Sequence, residues 1–230
     1  MRRFARITAL VAALNFAVGP AWAAPRFWVG GTGTWDAVTT THWSATSGGA
    51  GGQTVPGAGD DVTCDGNSGG GTITVNNASL TIQSLTCGAF TGTFDNSANN
   101  NNVTITGAGG TGLNLSGTGT RTINLGSGTW NIQSSGVNIG TTTNLTFNAN
   151  GGTVTMSGGA DGVNFQGAGL TWGTVNFNLG SGKAVQCFAS GATFGHFGVA
   201  ASTYVLFQGG TTLTISNAPT RVPGASGMCC

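Results

Sequence analysis

Three aspartates stand close together in the first third of the chain: Asp60, Asp61 and Asp65. Clustered carboxylates can cleave a glycosidic bond by acid/base chemistry or hold a calcium ion. Neighbouring carboxylates also push each other's pKa apart, which suits one as acid and the other as base. The simpler alternative is a turn, where aspartates accept hydrogen bonds from backbone N–H groups and sit in water. A polysaccharide-cleaving site would also need a basic residue in the same groove. Only Arg121 and Lys183 lie within the strand array, far from the cluster in sequence. The turn is therefore the preferred reading, and no catalytic residue is assigned.

Other reactive side chains are few. His42 lies between Thr41 and Trp43, and His196 lies among Phe194, Phe197 and Val199. A lone histidine beside aromatics packs more often than it catalyses, and neither has a recognisable serine or cysteine partner. Cys64 and Cys87 either pair or are both buried thiols, and Cys187 sits in an alternating apolar run as a small core residue. An odd number of cysteines leaves at least one thiol free or shared between chains; Cys229 and Cys230 are the candidates for an intermolecular disulfide. No C-x-x-C pair supports a zinc or redox site. The run Gly158-Gly159-Ala160-Asp161-Gly162-Val163 approaches a calcium-binding nonapeptide repeat. It occurs once, with Asp161 where the third glycine belongs, and has no tandem copy to share ligands. No metal-ligating or cofactor-binding residue is assigned.

The elements around these residues are strands. From Thr72 onward apolar residues come in pairs two apart, such as Ile73/Val75, Leu80/Ile82, Val103/Ile105, Ile123/Leu125, Val154/Met156, Leu170/Trp172, Val175/Phe177 and Leu213/Ile215. Period two is the strand period, with one dry face and one wet face. Trp130 and Trp172 fall in phase with the dry positions and read as core. The wet positions are mostly Thr, Asn and Gln. Strands recur every ~7–10 residues, separated by Gly- and Asn-rich corners. The Asn-rich stretch 96–102 reads as a polar loop or an outward asparagine ladder.

Short, similar strands almost free of edge-protecting charge point to a solenoid. The expected fold is all-β, a single-stranded right-handed parallel β-helix, with a β-sandwich or jelly roll as the alternative. Three strands per coil give ~25 residues per coil and about six coils between Ile73 and Ile215.

The organisation follows. Residues 1–23 combine Arg2, Arg3 and Arg6, an apolar run from Ile7 to Val18 and an Ala21-Trp22-Ala23 cleavage site, which is a secretory signal peptide. Residues 24–71 form an N-terminal cap and first coil, with Trp28, Trp35 and Trp43 to plug the core. Residues 72–217 form the coils and 218–230 an irregular tail. After export, four cations (Arg26, Arg121, Lys183, Arg221) face six aspartates, a net charge of −2. So weak a charge gives no basic face for nucleic acid or membrane headgroups. No second apolar run of spanning length follows the signal.

The segments Phe27-Trp28-Val29-Gly30-Gly31-Thr32-Gly33-Thr34-Trp35-Asp36, His42-Trp43-Ser44, Val55-Pro56-Gly57-Ala58-Gly59-Asp60-Asp61-Val62 and Gly71-Thr72-Ile73-Thr74-Val75 carry a resemblance. In this order they look like the opening segment of secreted bacterial β-helix proteins: autotransporter-type passengers, large repeat adhesins and some phage-encoded surface proteins. The resemblance covers about 50 residues and implies surface display and adhesion. It departs from autotransporters in lacking the alternating strands of a C-terminal membrane barrel. The expected role is an exported, non-enzymatic structural or adhesive protein, extracellular, at the cell surface or periplasmic. Its expected partners are glycans or other surface proteins. The alternative is a carbohydrate-active β-helix enzyme or phage-type spike module acting on polysaccharide.

Overall fold

Alternating apolar residues need a dry interior on one side only, and stacking coils supplies it. The structure, a computed structural model, describes residues 23–107, 110–208 and 212–217. Residues 1–22, within the stretch expected to be a signal peptide, and the tail with Cys229 and Cys230 lie outside the described residues. The described residues are strands, turns and loops without a helix, stacked as a β-solenoid of about seven turns. The fold is therefore the expected parallel β-solenoid and not the sandwich or jelly-roll alternative.

Three sheets form the walls. The first face has nine strands, running from Trp43–Ser44 and Ala24–Trp28 through Asp60–Thr63, Ser84–Thr86, Thr111–Asn114, Gly136–Asn138, Val163–Gln166 and Lys183–Cys187 to Thr203–Phe207. The second has five: Gly33–Trp35, Thr72–Val75, Thr93–Asp95, Arg121–Asn124 and Leu145–Asn148. The third has seven: Ser79–Ile82, Asn102–Ile105, Thr129–Gln133, Thr153–Ser157, Thr171–Asn178, Ala192–Val199 and Leu213–Ile215. Neighbouring coils pair parallel and in register, as in Leu80↔Val103 and Ile82↔Ile105. The exception is Trp43–Ser44, which pairs antiparallel with Ala24–Trp28.

The coils are not all three-sided. Down the first face, Val62, Leu85, Leu113, Val137, Phe165, Cys187 and Phe207 stack at steps of 20–28 residues, and the last two steps are only 22 and 20. Among the described residues the second face ends at Leu145–Asn148, and the later coils each contribute two strands. The Leu170/Trp172 and Val175/Phe177 pairs do not make two strands. Trp172, Val175 and Phe177 share the single strand Thr171–Asn178, and Leu170 precedes it.

The core is one continuous column of apolar side chains. At its N-terminal end Trp28, Trp35 and Trp43 are fully buried and meet edge to face, with centroids 5.1 Å (Trp28–Trp43) and 4.8 Å (Trp35–Trp43) apart. Trp130 and Trp172 are core residues as expected, each donating its indole N–H to a backbone carbonyl, Leu125 and Gly167 respectively. One cation is built into the wall. Arg121 is 2% exposed, and its guanidinium donates to the carbonyls of Leu115, Gly119, Thr141 and Thr143. It staples two successive corners of the coil, and desolvation lowers its pKa from the usual arginine value.

The asparagine-rich corner differs from an outward ladder. Asn96 and Asn101 turn inward and are buried. Asn96 Nδ2 donates to the carbonyls of Asn101 and Leu125, and Asn99 and Asn101 both donate to the carbonyl of Val75. A corner between faces leaves backbone carbonyls without a sheet partner, and carboxamides supply the missing donors.

Candidate functional site

The strand period separates the acidic cluster. Asp60 and Asp61 are consecutive in Asp60–Thr63, so their side chains leave the strand in opposite directions. Asp60 Oδ2 accepts from Gly57 N–H and lies 3.9 Å from Arg26 Nε. Asp61 Oδ1 accepts from Ser84 Oγ and from Gln83 Nε2, both on the next coil. Asp65 Oδ1 accepts from Asn67 N–H and so closes the turn after the strand. Each carboxylate holds local backbone or an adjacent coil. The same holds for Asp36, whose pKa is lowered because Thr39 N–H, Val38 N–H and the Thr39 hydroxyl all donate to it.

The histidines and cysteines also pack. His42 stacks on Trp28 at 4.7 Å with the rings 2° from parallel, and its Nδ1 lies 2.9 Å from the carbonyl of Val29. His196 stands on the third face opposite Thr174. Its Nε2 lies 3.4 Å from Asn217 Nδ2, and its Nδ1 is buried without a hydrogen-bond partner. Cys64, Cys87 and Cys187 are buried free thiols. Cys64 and Cys87 are neighbours on successive coils; the hydrogen bond between their thiols, and burial, hold Cys64 well above the usual thiol range. Burial pushes the Cys187 thiol up to about 11. Among the described residues no group of three His, Cys, Asp or Glu could hold a metal ion. The calcium-like run supplies one carboxylate, Asp161, whose Oδ1 accepts from Gly162 N–H and from Ala184 N–H of the next coil.

What the coils bring together lies outside. Parallel in-register stacking turns each wet position into a column with a repeat of ~4.8 Å. On the third face one column runs Thr81, Thr104, Asn131, Thr155, Asn176. On the second face Thr72, Thr93, Thr122 and Thr146 stand beside Thr34, Thr74, Asp95, Asn124 and Asn148. Here the ladder is literal, because Asn148 Nδ2 donates to Asn124 Oδ1 and Asn124 Nδ2 to Asp95 Oδ1. On the first face the column is Thr63, Thr86, Asn114, Asn138, Gln166. These columns carry hydroxyls and carboxamides with a single carboxylate, and no cation.

The first-face column ends in a groove of about 270 Å³. Thr111, Ser134, Asn138, Asp161, Asn164 and Gln166 contribute polar side chains to it, above a floor that includes Val137 and Val163. A β-bulge opens it. Thr111 pairs with Gly136 but Leu113 pairs with Val137, so Gly112 is an extra residue in its strand. Bulges re-aim neighbouring side chains and recur beside binding sites. Gly110 and Gly162, at φ of +86° and +67°, border the groove with no close neighbour where a Cβ would stand. Sequence reasoning did not single out Ser134, Asn138, Asn164 or Gln166. The only signal was their polar character at wet strand positions and corners, which they share with many other residues.

In comparisons with known proteins, no family model, curated protein or solved structure matches the chain.

Proposed function

We propose that this chain is an exported, non-enzymatic structural or adhesive β-solenoid that works outside the cytoplasm by presenting its outer faces to glycans. The observation that carries the reading is the set of nearly charge-free Thr/Asn columns in register over successive coils. Hydroxyls and carboxamides both donate and accept hydrogen bonds, as sugar hydroxyls do, and the rigid coils hold them in place without further ordering. Export rests on the leader pattern of residues 1–23. The dispersal of Asp60, Asp61 and Asp65 into separate structural bonds supports a non-catalytic role. The resemblance to autotransporter-type passengers, adhesins and phage surface proteins agrees with display at a surface.

The test is a glycan panel against the exported chain, scored for retention and for cleavage, with and without calcium. Retention without cleavage is expected. Cleavage of any polysaccharide that is lost on Asp60→Asn, Asp61→Asn or Asp65→Asn would make the protein an enzyme and overturn the reading.

A further inference from the structure

The groove at the bulge differs from the flat columns in being concave, and its lining restricts what can enter. Its side chains include three carboxamides or amide-like neighbours in one patch: Asn138 and Gln166 from one column, and Asn164 beside them. Asn138 Oδ1 already accepts from Gly140 N–H, which orients its Nδ2 as a donor. Asn164 is exposed and Gln166 half-buried, so both amides are open to a ligand. Both bonds to Asp161 end on Oδ1, which leaves Oδ2 as an acceptor. Among the described residues no cation and no aromatic ring lines the groove.

We propose that this groove is a subsite for one neutral sugar unit of a glycan chain. A planar carboxamide offers a donor and an acceptor side by side, which matches two adjacent sugar hydroxyls. Asp161 accepts from a hydroxyl and disfavours a uronic or sialic carboxylate at its own oxygen; Lys183, in register with Asp161 on the next coil, forms no ion pair with it and does not line the groove. The volume falls just under the roughly 300–1,000 Å³ of pockets for drug-sized ligands, so the groove takes a sugar unit and not an oligosaccharide. Without an aromatic platform a single site binds weakly, and useful affinity comes from a polymeric ligand engaging the columns as well. The inference rests on the glycan-binding reading above and gives it a location and a ligand class.

The experiment is affinity electrophoresis of the exported chain through neutral polysaccharides (dextran, mannan, galactan) and acidic ones (alginate, pectate). Asn164→Ala, Gln166→Ala and Asp161→Asn are run beside it, and Val38→Ala, on an exposed loop of the cap, is the control. We expect retention by at least one neutral polymer and none by the acidic ones. Asn164→Ala and Gln166→Ala should each weaken it about three- to tenfold, the scale of one lost hydrogen bond. Unchanged thermal melting shows that the variants fold. The same sugar should shift the Asn164 side-chain amide signals of the unmutated protein in an NMR titration, a readout independent of the variants. Retention equal in all variants, with no shift at Asn164, overturns the subsite and leaves glycan binding by the columns standing. Retention by acidic polymers alone, or retention abolished by a chelator, overturns direct recognition of a neutral sugar. No retention by any polymer overturns both readings.

Discussion

Cys64 and Cys87 offer the sharpest test of how the coils are stacked. Val62 pairs with Leu85 and Thr63 with Thr86, and Cys64 N–H then donates to the carbonyl of Thr86. The two cysteines therefore occupy equivalent places on adjacent coils. Parallel strands lie ~4.8 Å apart, inside the roughly 4.4–6.8 Å Cα separation that a disulfide spans. The structure holds both thiols free; in an oxidising medium they should pair and bolt their two coils together. The closed loop holds 24 residues, Cys64 to Cys87. In the chain-entropy account a loop of that length stabilises by roughly 3 kcal/mol. For a domain of this size that corresponds to a shift in Tm of about 10 °C. The assay uses protein folded in an oxidising buffer, then unfolded without reductant and treated with a thiol reagent. The paired protein is lighter by two hydrogens and leaves Cys64 and Cys87 unlabelled. Reduction should then lower Tm by about the amount above, and Cys64→Ser should abolish the effect of reductant. Two freely labelled thiols at positions 64 and 87 in the oxidised protein would refute the reasoning, because adjacency in an oxidising medium would then have failed to produce the bond. A disulfide that forms without changing Tm would instead refute the entropy estimate.

Three further outcomes follow from buried or hydrogen-bonded groups. Replacing Arg121 with Met keeps much of the side-chain bulk but strips the donors from four carbonyls, and should cost about 3 kcal/mol or more in urea denaturation; Arg121→Lys should fall between, since an ammonium cannot reproduce the fork. Burial raises the Cys187 thiol to about 11, so its contribution to stability is complete below the unfolded thiol value of ~8.5 and is lost as pH rises through the folded value; alkylation of native protein should stay slow at pH 9 and accelerate toward pH 11, and fast labelling at pH 9 would contradict the buried position. Asp36 is held below the ordinary carboxylate value, so its support of the 36–39 turn is present above ~3.9 and fades as pH falls through the lower folded value; the Val38 and Thr39 amide signals should move together in an acid titration, and Asp36→Asn should remove that movement.

Much of the fold was legible because burial in a solenoid repeats the simplest pattern a chain can write. Val103/Ile105, Ile123/Leu125 and Val154/Met156 alternate with Thr and Asn, and all six apolar residues are core. The tryptophan phase likewise placed Trp130 and Trp172 inside. What alternation leaves open is where corners fall. Glycine is the usual corner signal, yet Gly173 and Gly195 lie within the long strands Thr171–Asn178 and Ala192–Val199. A Cβ on Gly173 would collide with the carbonyl of Gly152, and one on Gly195 would press on that of Gly173. These three glycines form a column where backbones approach too closely for side chains, so here glycine permits contact and does not mark a turn. That column is part of what lets the later coils run with two long sides and drop the second face. The candidate groove was hidden for a related reason. It depends on one extra residue, Gly112, and on side chains from coils about 24 and 28 residues apart, whose convergence only the register of stacked strands decides. In a solenoid the local rule fixes which side of the wall a residue takes, whereas any site that spans coils is set by small departures from the repeat. Such departures, and not the regular columns, are where recognition specific to this chain should be sought.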